Sequence, residues 1–376
     1  MSTNQQQPQP PSRKPGIVRR FLRLLVRVTG WTIVILLALA TAGVIYETFS
    51  AYADRASFSP PGRLIDVGGY KLHLRCTGEG SPVVVFDAGL GSHSLYWRKV
   101  EPEVAAITTA CSFDRAGYGF SDLGPEPRTT ETIAGELNTL LRKASVRGPL
   151  VLVGWSFGGF TARYYAHRYP DQVAGVVFVD SGHEDQFIRF VPALIAQIGS
   201  PGWRSRLERA VKAVGGPEKA HTLVETTVTR LAWLKSRLGI ARWSSRHAAK
   251  KGFWESYPDD TWRVARFCEL QHGHHLAILK EQQALEQSEE QMRKMRSLGS
   301  VPLVVIARGA NLEGAQQRPG APPNELERIW RDMQSDLLSL STNSRLVVAL
   351  GSDHLVPHRE PALIAQVVKD LVLKTR

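Results

Sequence analysis

Charge is missing from this sequence where its absence says most. Residues 1–46 hold no acidic side chain, and residues 28–46 hold no charged side chain of either sign. As a helix those nineteen uncharged residues span about 28 Å, close to the hydrocarbon thickness of a bilayer. Six basic residues precede the run (Arg13, Lys14, Arg19, Arg20, Arg23, Arg27), while Glu47 and Asp54 follow it. That asymmetry predicts a single-pass anchor with the N-terminus in the cytoplasm and the remainder exported. Two other leaders fit less well. Ala40-Thr41-Ala42 resembles a signal-peptidase site, but the apolar run continues through Val44 and Ile45, as an uncleaved anchor would. Phe21 follows Arg19-Arg20 without the spacer of a twin-arginine signal.

Other shortages exclude whole classes of function. The net charge of +12 is concentrated in residues 1–46 and 181–300, at +6 each, so the remainder is neutral. With no basic stripe interleaved with aromatics there, nucleic acid is not expected as a partner. Gln271-His272-Gly273-His274-His275 has no cysteine or carboxylate at ligand spacing to complete a metal site, and Gly273 denies it a rigid platform. No metal or organic cofactor is implied. Cysteine is scarce too: only Cys76, Cys111 and Cys268 occur.

What the chain does contain is a strand–turn–helix built around a serine. Residues 150–153 are branched and apolar, as in a buried parallel strand, and Gly154-Trp155-Ser156-Phe157-Gly158 follows. The helical segment 160–169 ends at Pro170. A turn this sharp strains the serine backbone, and a Cβ at Gly154 or Gly158 would clash across it. The hydroxyl is lifted clear of the sheet, where a nucleophile is needed. An earlier apolar run, 83–86, ends in Asp87-Ala88-Gly89-Leu90-Gly91, and this glycine-flanked loop offers the Leu90 N–H. Paired with the Phe157 N–H, it would form an oxyanion hole.

The remaining pattern alternates strands and helices. Residues 63–67 and 70–76 read as a hairpin, 109–113 and 173–179 as strands, and 130–143 as a helix. Residues 181–300 interrupt the alternation with helical stretches at 204–214, 222–238 and 276–296. The tryptophans of this insertion (Trp203, Trp233, Trp243, Trp254, Trp262) suit either a packed helical layer or a membrane interface, and the packed layer is the expectation. A strand at 301–307, a loop at 314–323, a helix at 325–340, a strand at 345–350 and a helix from Pro361 to about Leu373 complete the chain.

Asp114-Arg115-Ala116-Gly117-Tyr118-Gly119, Gly154-Trp155-Ser156-Phe157-Gly158-Gly159 and Gly351-Ser352-Asp353-His354, in that order and spacing, resemble the α/β-hydrolase superfamily. The resemblance implies an α/β fold with a mostly parallel eight-stranded sheet and an inserted helical cap. The expected plan is a disordered basic tail (1–27), a transmembrane helix (28–46), a linker (47–61), a hydrolase core (62–180 and 301–376) and the cap (181–300).

A serine nucleophile needs a base, and the base needs an orienting acid. Of the eleven histidines only His354 and His358 follow the last strand, and His354 lies nearer its end. In most of the family an aspartate follows the strand equivalent to 301–307. Here Arg308-Gly309-Ala310-Asn311-Leu312-Glu313 contains none. Asp180, at the end of the preceding strand, is a position some superfamily members use, and Glu313 is the alternative. The second and fourth strands are neighbours in that fold, which implies a disulfide between Cys76 and Cys111. The expected function is a membrane-anchored serine hydrolase acting through an acyl-enzyme on a small or lipid-like carboxylic ester. Serine at the nucleophile position argues against epoxide hydrolase or dehalogenase chemistry. An amidase or peptidase, a cofactor-free haloperoxidase, and a non-catalytic binding protein on the same fold are the other readings.

Overall fold

The computed structural model describes residues 16–246, 249–250, 252–309 and 325–376. Eight strands form one sheet: β1 (Arg63–Asp66), β2 (Lys71–Thr77), β3 (Val83–Asp87), β4 (Ala110–Phe113), β5 (Leu150–Trp155), β6 (Val173–Val179), β7 (Leu303–Arg308) and β8 (Ser344–Ala349). Their spatial order is β1-β2-β4-β3-β5-β6-β7-β8, and only the pairings of β2 with β1 and β4 are antiparallel. The central strands are apolar throughout because both faces are covered. Val84, Phe86, Val151, Val153, Val177 and Ile306 face one layer, which includes α2 (Glu101–Ala105) and α14 (Pro361–Lys374). Their neighbours Val83, Val85, Leu150, Leu152, Val176 and Val305 face α3 (Thr130–Lys143) and α4 (Gly158–Arg168). Period-two alternation thus feeds two cores from one set of strands.

Between β6 and β7 the cap comprises α5 (Gln186–Ala196), α6 (Pro201–Ala213), α7 (Pro217–Arg237), α8 (Ile240–Ser245), α9 (Asp259–Leu270), α10 (His272–Gln283) and α11 (Leu285–Lys294). The single helix expected over 276–296 is two, parted at Ala284, whose φ of −94° and ψ of 3° leave the helical region. Trp203 and Trp243 are exposed, but Trp254 is buried against Tyr96 and Tyr257. After β7 come α12 (Glu325–Asp336), then β8, α13 (Val356–Arg359) and α14.

The largest correction concerns the N-terminal segment. Helix α1 runs Ile17–Ser57, so the basic stretch from Ile17 onward is helical rather than a disordered tail, and residues 47–57 continue the helix rather than forming a linker. The helix is long and apolar enough to cross a membrane. It persists past its apolar part because its polar end has partners: Arg242 of α8 bonds Glu47 at 2.9 and 3.0 Å and also Asp54. Phe58 then stacks on Phe267 of α9. Residues 1–15 of the expected tail, and the whole loop expected at 314–323 with its flank at Glu313, lie outside the described residues.

Cys76 and Cys111 face each other in the β2–β4 register and form a disulfide. Cys268 is free and buried.

Candidate active site

Strand register sets this site. Trp155 at the end of β5 pairs with Val179 at the end of β6, so Ser156 and Asp180 leave neighbouring strands at the same level, about 4.8 Å apart across the sheet. Both residues sit at positive φ, +54° for Ser156 and +42° for Asp180. Such backbones cost on the order of 1–3 kcal/mol each and persist only where their surroundings hold them. Here the Ser156 N–H donates to Val179 O, and the Asp180 N–H donates to Ile306 O at 2.6 Å. A Cβ at Gly154 would collide with the Gly158 carbonyl, and one at Gly158 with Asp87 O, so the elbow closes only with glycine at both places.

Asp180 is fully buried and saturated with donors. Oδ2 accepts from His354 Nδ1 at 2.6 Å and Arg308 Nη1 at 2.9 Å; Oδ1 accepts from Trp330 Nε1 at 2.7 Å and the Arg308 N–H at 3.0 Å. Burial works to raise this carboxyl, but the His354 hydrogen bond and charge, followed by Arg308 and Trp330, hold it below the ordinary aspartate value. An ionised carboxylate facing Nδ1 requires that nitrogen to carry hydrogen, so the tautomer selected in the neutral imidazole has its lone pair on Nε2. His354 is itself about one-third exposed, and its carbonyl accepts from Trp155 Nε1 at 2.8 Å. Ser156 Oγ forms no hydrogen bond with His354 among the described residues.

His358 lies elsewhere. It opens towards Lys99, 3.3 Å from Nδ1, and stacks on Tyr257; burial, then Lys99 and Arg359, push its pKa down to about 4. Glu313, the alternative acid, lies outside the described residues. The expected oxyanion loop backs onto the elbow, since a Cβ on Gly89 would stand 3.2 Å from Ser156 Cβ. The N–H groups of Leu90 and Phe157 donate to no hydrogen bond among the described residues.

Three residues that shape the site went unnoticed in the sequence. Arg308 and Trp330 pin Asp180, and the only hint was a charge ending the apolar run 303–307. The third is Arg115, which lies within a motif noted only for its resemblance. Its buried guanidinium bonds Asp87 Oδ1 (2.7 Å), Ala88 O (2.5 Å) and Gly89 O (2.8 Å), and stands 5.3 Å from the Phe157 ring centre. Glu281 of α10 binds the same guanidinium at 3.0 and 3.1 Å and accepts from the Tyr118 hydroxyl at 2.9 Å. The cap is thereby tied to the loop that carries Leu90. His274 is buried with its ring edge-on to Tyr118, and no three potential metal ligands converge among the described residues.

A profile of the alpha/beta hydrolase fold matches residues 82–375, and the chain belongs to that family. Among curated proteins it is similar to one from Hormonema carpetanum named Probable transporter efuK, 25% identical over 319 residues, 82% of this chain and 42% of that protein. It also resembles the AB hydrolase superfamily protein of Gibberella zeae, 24% identical over 78% of this chain and 87% of that one. A shorter match, 31% identical over 34% of this chain and 45% of the other, is to 2-(acetamidomethylene)succinate hydrolase of Mesorhizobium japonicum. The chain spans less than half the length of the first curated relatives it matches. The solved enol-lactonase of Burkholderia xenovorans shares the fold at 16% identity and a TM-score of 0.53, covering 83% of this chain and all of that one.

Proposed function

We propose that this protein is a membrane-anchored serine hydrolase that cleaves carboxylic esters through an acyl-enzyme, without metal or organic cofactor. Ser156 Oγ attacks the acyl carbon while His354 Nε2 takes its proton, a contact that tightens to hydrogen-bond length in the Michaelis complex. Asp180 holds the imidazole in the required tautomer and stabilises the imidazolium. The oxyanion is met by the N–H groups of Leu90 and Phe157. His354 returns the proton to the leaving alkoxide, and water then repeats the sequence on the acyl-enzyme.

The observation that supports this reading most is the 2.6 Å pair of His354 with a buried, depressed carboxylate, set on the strand next to the serine elbow. The relative named a hydrolase supports cleavage chemistry over a purely binding role. Helix α1 is read as the anchor, with the N-terminus cytoplasmic and the hydrolase exported, where a Cys76–Cys111 bond persists.

A fluorophosphonate probe tests the nucleophile: wild type should be labelled at Ser156 and Ser156→Ala should not. Absence of labelling in the folded wild type would return the chain to the binding-protein class. Matched esters and amides of graded acyl length then separate the esterase from the amidase.

A further inference from the structure

Helix α7 is built inside out. Val224, Val228, Leu231 and Leu234 are exposed, whereas the buried residues are Thr226, Thr229 and Ser236. At 100° per residue the four apolar side chains share one stripe about 120° wide. A helix on a water-washed surface shows the reverse arrangement. The inward hydroxyls do not explain it by binding the rest of the cap, since Thr226 and Ser236 bond carbonyls of α7 itself, Thr222 O and Trp233 O. After the turn at Gly239, α8 adds Ile240 and Trp243, both exposed.

The place of this face identifies what covers it. The α7–α8 turn abuts α1 at the end of its uncharged run: a Cβ on Gly43 would collide with Leu238 O, and one on Gly239 would stand 2.8 Å from the Tyr46 ring. Arg242, five residues past Arg237, grips Glu47 and Asp54 just beyond that run. The corner of the cap is therefore fastened to α1 at the level where it leaves its apolar stretch. Lys235 is exposed within the arc of the stripe at its C-terminal end, Arg230 is exposed beside it, and the exposed Arg246 lies 4.8 Å over the Trp243 ring. Long cationic side chains and tryptophan suit the phosphate level of a bilayer. Across a two-fold contact between copies of this chain, the same cations would face one another.

We infer that the outer face of α7 and α8 rests on the bilayer crossed by α1, its apolar stripe against acyl chains and its basic residues among acidic phospholipid headgroups. The sequence offered the cap tryptophans either a packed helical layer, the expectation, or a membrane interface; Trp254 is packed inward, while the exposed stripe of α7 and Trp243 support an interface for the outer surface. The inference rests on reading α1 as the anchor. A cap seated on lipid presents the site to substrates dissolved in the bilayer, and α10, which packs on α7, bears the Glu281 bound to Arg115.

The test uses the full chain in lipid vesicles whose acyl chains are brominated. A fluorophore is attached through Val228→Cys, through Val34→Cys in α1, or through Gln366→Cys, an exposed position on α14. The Val228 label should lose emission as the Val34 label does, while the Gln366 label keeps it. Quenching at Val34 without quenching at Val228 overturns the docking face and leaves the anchor standing. Quenching at neither overturns both. Excimer emission from a pyrene at Val228 would assign the face to a second copy and overturn the inference. In addition, Val228→Asp with Leu231→Asp should lower turnover of a vesicle-borne long-chain ester about tenfold and leave a soluble short-chain ester unchanged. Equal turnover of the long-chain ester would overturn it.

Discussion

Replacing Asp180 by asparagine removes one charge and disturbs two functions that can be measured apart. In the folded protein that carboxylate accepts four hydrogen bonds and neutralises Arg308, whose guanidinium is 1% exposed and whose other partner is Glu327. Breaking a buried ion pair from one side costs about 3–5 kcal/mol, because the remaining charge stays desolvated. For a chain of this size that lowers Tm on the order of 10 °C. The catalytic loss has a different origin. An amide facing His354 Nδ1 no longer selects the tautomer with a free Nε2, and kcat should fall about 10⁴-fold. Arg308→Met separates the two effects. It should cost comparable stability through Glu327 and Asp180, yet leave Asp180 bonded to His354 and Trp330, so kcat per folded molecule should fall tenfold or less on the order-of-magnitude scale of a lost supporting contact. Calorimetry and soluble-ester kinetics read the two quantities. The sign with pH follows from the depressed carboxyl: its stabilisation is complete above the ordinary value of 3.8 and is lost as pH falls through the lower folded value. The Tm gap between wild type and Asp180→Asn should therefore narrow on acidification. Asp180→Asn with kcat within tenfold of wild type, on the order of 1 kcal/mol in barrier, would refute the orienting role.

Ser156→Ala and His354→Ala should each remove about 10⁴-fold or more of kcat with an unchanged fold, whereas His358→Ala, away from Asp180, should keep activity. Arg115→Lys supplies one point charge where a fork now binds two carboxylates and two carbonyls, so kcat should drop about 10²-fold with little change in KM; a change confined to KM would contradict its hold on the oxyanion loop. Burial, reinforced by Glu218, pushes Glu289 up to about 9, so its contribution to stability is full below 4.5 and lost as pH rises through about 9; Glu289→Gln should flatten the fall of Tm across that window, and an unaltered profile would show the group does not titrate there. Closing a 35-residue span, the Cys76–Cys111 bond should contribute about 3–4 kcal/mol, measurable as a lower Tm for Cys76→Ser with Cys111→Ser.

Local signals already determined much of this protein. Glycines at 154 and 158 around a serine, after four branched apolar residues, specify a strand–turn–helix because the constraint acts within one turn of chain. The uncharged run of 28–46 is likewise readable, since helical rise converts nineteen residues directly into a length sufficient to cross a bilayer. The order of strands and helices and the placing of His354 after the last strand belong to the same kind of information. The acid was legible only in part: sequence favoured Asp180 and kept Glu313 as the alternative, because the end of either strand can carry a carboxylate. What singles out Asp180 in the described structure is the β5–β6 register together with donors 128, 150 and 174 residues away. Arg115 escaped notice for the same reason, since its partner Glu281 lies 166 residues along the chain. The outward stripe of α7 was hidden too, because an amphipathic pattern shows that a helix has two faces but not which one is turned inward. Periodicity, turns and apolar runs are properties of neighbours in sequence. The partner of a buried charge, and the side of a helix left uncovered, depend on which distant segments meet, and tertiary packing alone decided those.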